Sequence, residues 1–157
     1  MPLCVKLFRQ RWYVVGKAWR SGQTMVFSLD RIREFRPSSH SFEYPDDFDA
    51  QVFFEGCIGV IAGVDSKLEN IKLKVDSVQT NYLRDLPIHR SQEEIERNDE
   101  YSIFQLYLHP TFDFEQEILW NGESMEVLEP LWLRNKIARR VERMWRAYHR
   151  EESRNSR

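Results

Sequence analysis

The sequence is poor in the residues that build staples, metal sites and phosphate-binding loops. Its two cysteines, Cys4 and Cys57, fall in no CxxC or Cys/His spacing, which excludes a zinc site and a disulfide framework. Such sparse use suits a reducing cytoplasm. The four histidines, His40, His89, His109 and His149, are scattered, each without a nearby Asp, Glu or Cys at ligand spacing. No HExxH, GxSxG or kinase-type set occurs, so no catalytic residue and no metal ligand is predicted, and the chain does not read as an enzyme. Carboxylates abound between residues 37 and 130, but no defined pair marks a general acid and base. Glycine is scarce too, and the one cluster, from Gly56 to Gly63, has neither the GxGxxG nor the GxxxxGK[ST] spacing. It reads as a tight connection between two halves, with no cofactor implied. No apolar run approaches the roughly 18 residues of a spanning helix. Nor does the amino terminus read as a signal peptide, because Met1-Pro2-Leu3-Cys4-Val5 runs at once into Lys6 and Arg9. A cytoplasmic location without a membrane partner is expected.

What is present suffices for a core. With 157 residues, 41% hydrophobic and 13% aromatic, the chain can bury one compact domain or two small ones. The net charge of −2 hides a segregation: residues 1–36 hold eight Lys/Arg against two acids, residues 131–157 nine against three, and residues 37–130 six against twenty. Basic ends can attract phosphates locally while the chain stays near neutral. Docking of those ends on the acidic middle is the competing reading.

The chain is organised around Arg9-Gln10-Arg11-Trp12-Tyr13-Val14-Val15-Gly16 and, after the turn-like Arg20-Ser21-Gly22-Gln23, Met25-Val26-Phe27-Ser28-Leu29-Asp30-Arg31-Ile32. Both halves are aromatic and β-branched and read as the strands of a hairpin, with Val5 to Phe8 extending the first or leading into it. Alternation puts Arg9, Arg11 and Tyr13 on one face and Trp12 and Val14 on the other, while Phe27, Leu29 and Arg31 fall together. Pairing then gathers Arg11, Tyr13 and Arg31. Taken singly, such residues are more often solvated arginines and core aromatics.

Beyond Pro37 the periodicity lapses. A short helix is expected over 46–55, capped by Asp46 or Asp47. Asp65-Ser66-Lys67 reads as a linker. Ile71, Leu73 and Val75 alternate with Lys72, Lys74 and Asp76, a half-buried strand. Asp76-Ser77 caps a helix through Leu83 that Pro87 ends. Ile88-His89-Arg90 reads as a short strand, and Ser91 to Glu100 as a solvated hairpin tip. A strand follows over 101–108, a helix over 112–120 stopped by Asn121-Gly122, and a last strand over 124–128. Strand, helix, two strands, helix, strand is the ferredoxin-like βαββαβ order. Pro130 opens a final helix in which Leu133, Ile137, Val141, Met144 and Tyr148 form one apolar stripe, with Arg139, Arg140, Arg143, Arg146 and Arg150 off it. That stripe packs on the domain and leaves a basic face, which is either solvated or a nucleic-acid contact. The tail from Glu151 to Arg157 has no apolar residue and is expected to be disordered.

Arg11-Trp12-Tyr13-Val14, a hairpin and Phe27-Ser28-Leu29-Asp30-Arg31-Ile32 resemble the signature of the WYL domain family of bacterial transcriptional regulators. Val14 stands where the family has leucine. From Lys72 to about Tyr148, including His109-Pro110-Thr111-Phe112-Asp113-Phe114 and Val127-Leu128-Glu129-Pro130, the chain resembles the WCX extension that often follows a WYL domain. The resemblance covers nearly the whole chain. It implies an α+β protein: an incomplete Sm-like (SH3-like) β-barrel with a linker helix over 1–63, a ferredoxin-like domain and carboxy-terminal helix over 64–150, and a tail over 151–157. In the family, strands precede the hairpin and close the barrel, behind a DNA-binding helix-turn-helix; here Met1 stands directly upstream of the hairpin. An open barrel leaves strand edges free to pair with another chain, so a homo-oligomer is expected.

The function so implied is effector binding and oligomerisation for a transcriptional regulator, with a nucleotide or short single-stranded nucleic acid held in a basic-aromatic pocket. The residues that map to that pocket are Arg11, Tyr13 and Arg31, with Arg9 and Arg33 beside them. Two positions often basic in the family are Met25 and Ser28 here, which reduces the pocket's charge. Arg139, Arg140 and Arg143 are a second nucleic-acid candidate. The other readings are a stand-alone nucleic-acid-binding protein that stacks bases on Trp12, Tyr13 or Trp19, and a pure oligomerisation module.

Overall fold

The computed structural model describes residues 1–18, 20–61 and 67–149. The expectations for Trp19, for Asp65 and Ser66 and for the tail lie outside them. The described residues are α+β, with two antiparallel sheets and four α-helices.

The first sheet has three strands in the order β1 (Pro2–Phe8), β2 (Arg11–Lys17), β3 (Thr24–Ser28). The segment 5–8 is therefore part of a separate strand, folded back on the first half of the expected hairpin. Phe8 pairs with Arg11 and Lys6 with Tyr13. The two-residue turn between them puts Arg9 at φ 46° and Gln10 at φ 64°. Both are left-handed, as a type I′ turn requires, yet neither is the Asn, Asp or Gly that usually signals one. Without that signal the two strands read as one.

The next strand is shorter than its pattern suggested. It ends at Ser28, and Leu29–Arg31 form a 3-10 turn. The Ser28 hydroxyl donates to the Asp30 carboxylate and the Ile32 N–H to the Leu29 carbonyl, so local bonds replace the ladder after Ser28. Residues 32–44 have no regular structure. The helix expected over 46–55 is the single turn α1 (Ala50–Phe53). Its cap is Asp49, not Asp46 or Asp47; the Asp49 carboxylate accepts from the N–H groups of Gln51 (2.7 Å) and Val52 (3.2 Å).

The second body runs β4 (Glu69–Asp76), α2 (Ser77–Asp85), β5 (Glu93–Arg97), β6 (Tyr101–Leu108), α3 (Phe112–Trp120), β7 (Met125–Glu129) and α4 (Leu131–Tyr148). The expected succession of strands and helices is present, and the sheet order is β5-β6-β4-β7. Asp76 caps α2 through the Gln79 N–H, 2.7 Å away. Ile71, Leu73 and Val75 on β4, Phe104, Leu106 and Leu108 on β6 and Met125 and Val127 on β7 meet Leu83, Phe114, Ile118, Leu133 and Ile137 from the helices in one closed core.

Two sequence expectations change here. Residues 88–90 form no strand, whereas the polar run after them does: β5 is an edge strand paired with β6. Charge on an edge strand deters pairing with other chains, so its polarity reflects position and not a loop. Its Glu94 faces Arg84, whose Nε and Nη2 donate at 2.9 and 2.5 Å, and the Ser102 hydroxyl at 2.7 Å. Those bonds hold the Glu94 carboxyl down at about 2. In α4 only Leu133 and Ile137 are buried; Val141, Met144 and Tyr148 are exposed, because the helix continues past the core that would cover the stripe.

Candidate ligand-binding site

The amino-terminal sheet is seated on the second body by a loop, and the seat is largely polar. Lys6 Nζ donates to the Gly59 carbonyl at 2.6 Å and lies 3.8 Å from the centre of the Phe54 ring. From below, Asp113 near the start of α3 accepts the N–H groups of Val60 (2.9 Å) and Ile61 (3.1 Å). A Cβ at residue 59 would overlap the Asp113 carboxylate, so only glycine lets the loop pass. Burial pushes the Lys6 ammonium below its ordinary range, opposed by Cys57, Asp113 and Cys4 around it.

Beside this seat, β2 presents Arg11 and Tyr13 on the face that also carries Lys6 of β1. Tyr13 pairs with Ser28, the last residue of β3, and there the 3-10 turn swings Asp30 back toward Arg11. The Arg11 guanidinium lies 3.5 Å from the Asp30 carboxylate. That carboxyl is held below its ordinary range, first by the Ser28 hydroxyl and further by the charges of Arg11 and Arg31. Arg11 and Tyr13 share a strand face, and it is the 3-10 turn, not strand alternation, that sets Arg31 beside Asp30 near Arg11. Arg11 remains more than half exposed and Arg31 is exposed, so on an open surface one guanidinium pairs with the carboxylate while the charge of a second acts on it. A phosphate oxygen can compete for either.

The other expected residues lie elsewhere. Arg9, at the tip of the turn, bonds Glu117 of α3 at 3.0 Å and forms with Gln10, Glu117 and Trp120 a cleft of about 330 Å³ between the two bodies. Arg33 is exposed in irregular chain. Arg139, Arg140 and Arg143 are on α4, far along the chain in the other body. They are not equivalent, since Arg140 is mostly buried and bonds Glu115 at 2.9 Å, while Arg139 and Arg143 are exposed. Sequence reasoning missed Lys6. Its signal is the alternation of Val5-Lys6-Leu7-Phe8, legible only once that segment is known to be a strand of its own.

Family models match a WYL domain over residues 1–37 and a WCX domain over residues 67–145. The chain belongs to the WYL–WCX family. Arg9, Arg11, Tyr13, Arg31 and Arg33 all lie inside the WYL match, and Arg139, Arg140 and Arg143 inside the WCX match. Among solved structures the chain is similar to proteasome accessory factor B/C (PafBC) of Arthrobacter aurescens, with 20% identity and a TM-score of 0.39 over 90% of this chain and 21% of that one. It spans about a fifth of that protein's length. No curated protein matches the sequence. Among the described residues no helix is long and apolar enough to cross a membrane, and no group of three or more His, Cys, Asp and Glu side chains is placed to hold a metal ion.

Proposed function

We propose that this WYL–WCX chain is the effector-binding and oligomerising part of a bacterial WYL-type transcriptional regulator, acting without catalysis. Its effector is a nucleotide or short single-stranded nucleic acid, bound by Arg11, Tyr13 and Arg31 with Arg33 alongside; Arg9 joins them on release from Glu117. A helix-turn-helix outside this chain carries the response to DNA in the cytoplasm. The amino-terminal sheet is then an incomplete Sm-like barrel and the second body a ferredoxin-like domain. The observation that carries this reading is the exposed Arg11–Asp30 ion pair with the Arg31 charge beside it, next to a half-buried tyrosine on the same strand face as Arg11. Ligand phosphate displaces the carboxylate from Arg11 and the base stacks on Tyr13.

A charge-assisted contact contributes on the order of 1.5–3 kcal/mol, so Arg31→Ala should weaken binding roughly ten- to a hundredfold with the fold intact. The test titrates the wild type, Arg31→Ala and the triple variant of Arg139, Arg140 and Arg143 with short single-stranded DNA, RNA and free nucleotides at two salt concentrations. The triple variant should leave binding at residues 11–31 unchanged and lose only the weaker, salt-sensitive component carried by α4. If Arg31→Ala binds like the wild type and the triple variant loses everything, the basic helix is the site.

Oligomerisation is supported by a separate observation. The sheet face opposite Tyr13 leaves Val5, Leu7, Trp12, Met25 and Phe27 each between 43% and 60% exposed across all three strands. A second copy is the occupant we assign to this apolar face. Light scattering that gave a well-behaved monomer at tens of micromolar would remove that part of the proposal.

A further inference from the structure

The start of α3 meets α4 in a groove of about 500 Å³ that is separate from the Arg11–Arg31 surface. Thr111, the residue that precedes the nine-residue α3, lines it. A threonine there normally bonds an N–H of the first turn, but this hydroxyl makes no capping bond. Thr111 is 7% exposed and its Oγ1 is buried with no hydrogen-bond partner. A buried hydroxyl is seldom left unpaired. Beside it the amides of Phe112, Asp113 and Phe114 open the helix, and its dipole favours an anion at this end.

The side chains from α4 supply the charge. Lys136, Arg140 and Arg143 line the groove against a single acid, Glu115, which is 3% exposed. Glu115 is already committed, with Lys136 Nζ at 2.5 Å on one oxygen and Arg140 Nη1 at 2.9 Å on the other. Asp113 is turned to the opposite side, onto the Val60 and Ile61 amides. Three cations against one spent carboxylate leave an excess of two positive charges. At the lip, the Arg140 guanidinium lies 5.3 Å from the centre of the Phe112 ring, which is 55% exposed. That pair offers a flat, cationic platform on which a planar base can extend the stack.

We propose that this groove binds the phosphate of a nucleotide: the phosphate sits on the first-turn amides of α3 and the Thr111 hydroxyl, Lys136 and Arg143 neutralise it, and the base lies against Phe112 and Arg140. The size falls within the range of small-molecule sites. Arg139 has no part in it. The inference does not depend on the Arg11–Arg31 site, and the two are read separately in the test.

The experiment follows amide shifts and affinity by NMR as the full chain is titrated with adenosine 5′-monophosphate, adenosine and inorganic phosphate. Adenosine monophosphate should shift the amides of Phe112, Asp113 and Phe114 saturably, with adenosine at least tenfold weaker. Lys136→Gln with Arg143→Gln should lose at least tenfold, with Arg140 still paired to Glu115 and the fold checked by circular dichroism. Thr111→Val is the sharper variant, because it replaces an unpaired buried hydroxyl with a methyl of the same shape. It should melt no lower than the wild type yet bind several-fold more weakly. Arg31→Ala should weaken the shifts around residues 11–31 and leave those at 112–114 intact. An absence of saturable shifts at 112–114, or binding by Thr111→Val and by the Lys136/Arg143 double variant equal to wild type, would overturn the site. Inorganic phosphate binding as tightly as the nucleotide would overturn the assignment of a base.

Discussion

The two sheets of this protein are built from similar amounts of apolar side chain and use them differently. In the carboxy-terminal body thirteen hydrophobic residues from three strands and three helices close on one another, none more than 8% exposed. In the amino-terminal sheet only Leu3 and Val15 are buried hydrophobics, while Val5, Leu7, Trp12, Met25 and Phe27 stand exposed on the outer face. The inner face is joined to the body by Lys6 on Gly59, Asp113 on the loop amides and Arg9 on Glu117. Hydrophobic burial is the main stabilising force and polar contacts give modest net gains. The body therefore holds itself, and the sheet that carries the candidate site is held by a few directional bonds. Low local stability is what a ligand-responsive element needs, because binding can then shift it.

The contrast can be broken most forcefully from the body. Phe104→Ala removes a ring that is 1% exposed at the centre of the core and should cost about 3–5 kcal/mol. Denaturant unfolding followed by Trp fluorescence and circular dichroism should show both sheets lost together, since the smaller has nothing else to rest on. Loss of the amino-terminal sheet alone would contradict the hierarchy.

Asp113→Ala tests the joint. It leaves two loop amides unpaired at the seat of the first sheet, a loss of about 1–3 kcal/mol. Hydrogen exchange should accelerate over residues 2–17 while the amides of β4 and β6 stay protected. Equal acceleration in both would mean that the loop is not the joint.

Acid tests the body by another route. Glu94 titrates at about 2 instead of its ordinary 4.5, so the unfolded state takes up its proton first as pH falls. The stability it contributes is full above about 4.5 and is lost as pH drops toward 2. With its side chain 24% exposed, the loss is on the order of 1–2 kcal/mol. Glu94→Gln should remove that slope in urea midpoints measured from pH 6 to pH 2.5, and an unchanged slope would assign it to other carboxylates.

The smallest effect sharpens the contrast from the other side. Gln10 sits at φ 64°, where glycine is unstrained, so Gln10→Gly should stabilise the β1–β2 hairpin by about 1 kcal/mol. Slower exchange at Leu7 and Trp12 with an unchanged core would show it.

Periodicity alone determined most of the carboxy-terminal body. Ile71, Leu73 and Val75 alternate because one sheet face is buried, Asp76 and Asn121 mark helix ends by their own backbone bonding, and every element from 69 to 129 except β5 follows from such local signals. Arg11 and Tyr13 were also legible as a pair, because strand alternation puts them on one face, whereas Arg31 comes near them only through the 3-10 turn that ends β3. Only the tertiary structure decided the rest. Arg9-Gln10 is a turn because two strands meet around it, in a conformation its side chains do not favour. The polar run at 93–97 is a strand because β6 lies beside it, and the stripe on α4 is half uncovered because the core ends at Ile137. Lys6, Gly59 and Asp113 meet across fifty residues and more of chain, and Thr111 faces three cations of a distant helix. Local sequence specifies what each residue does with its neighbours; contacts between segments distant in sequence are set by packing, which no single stretch encodes.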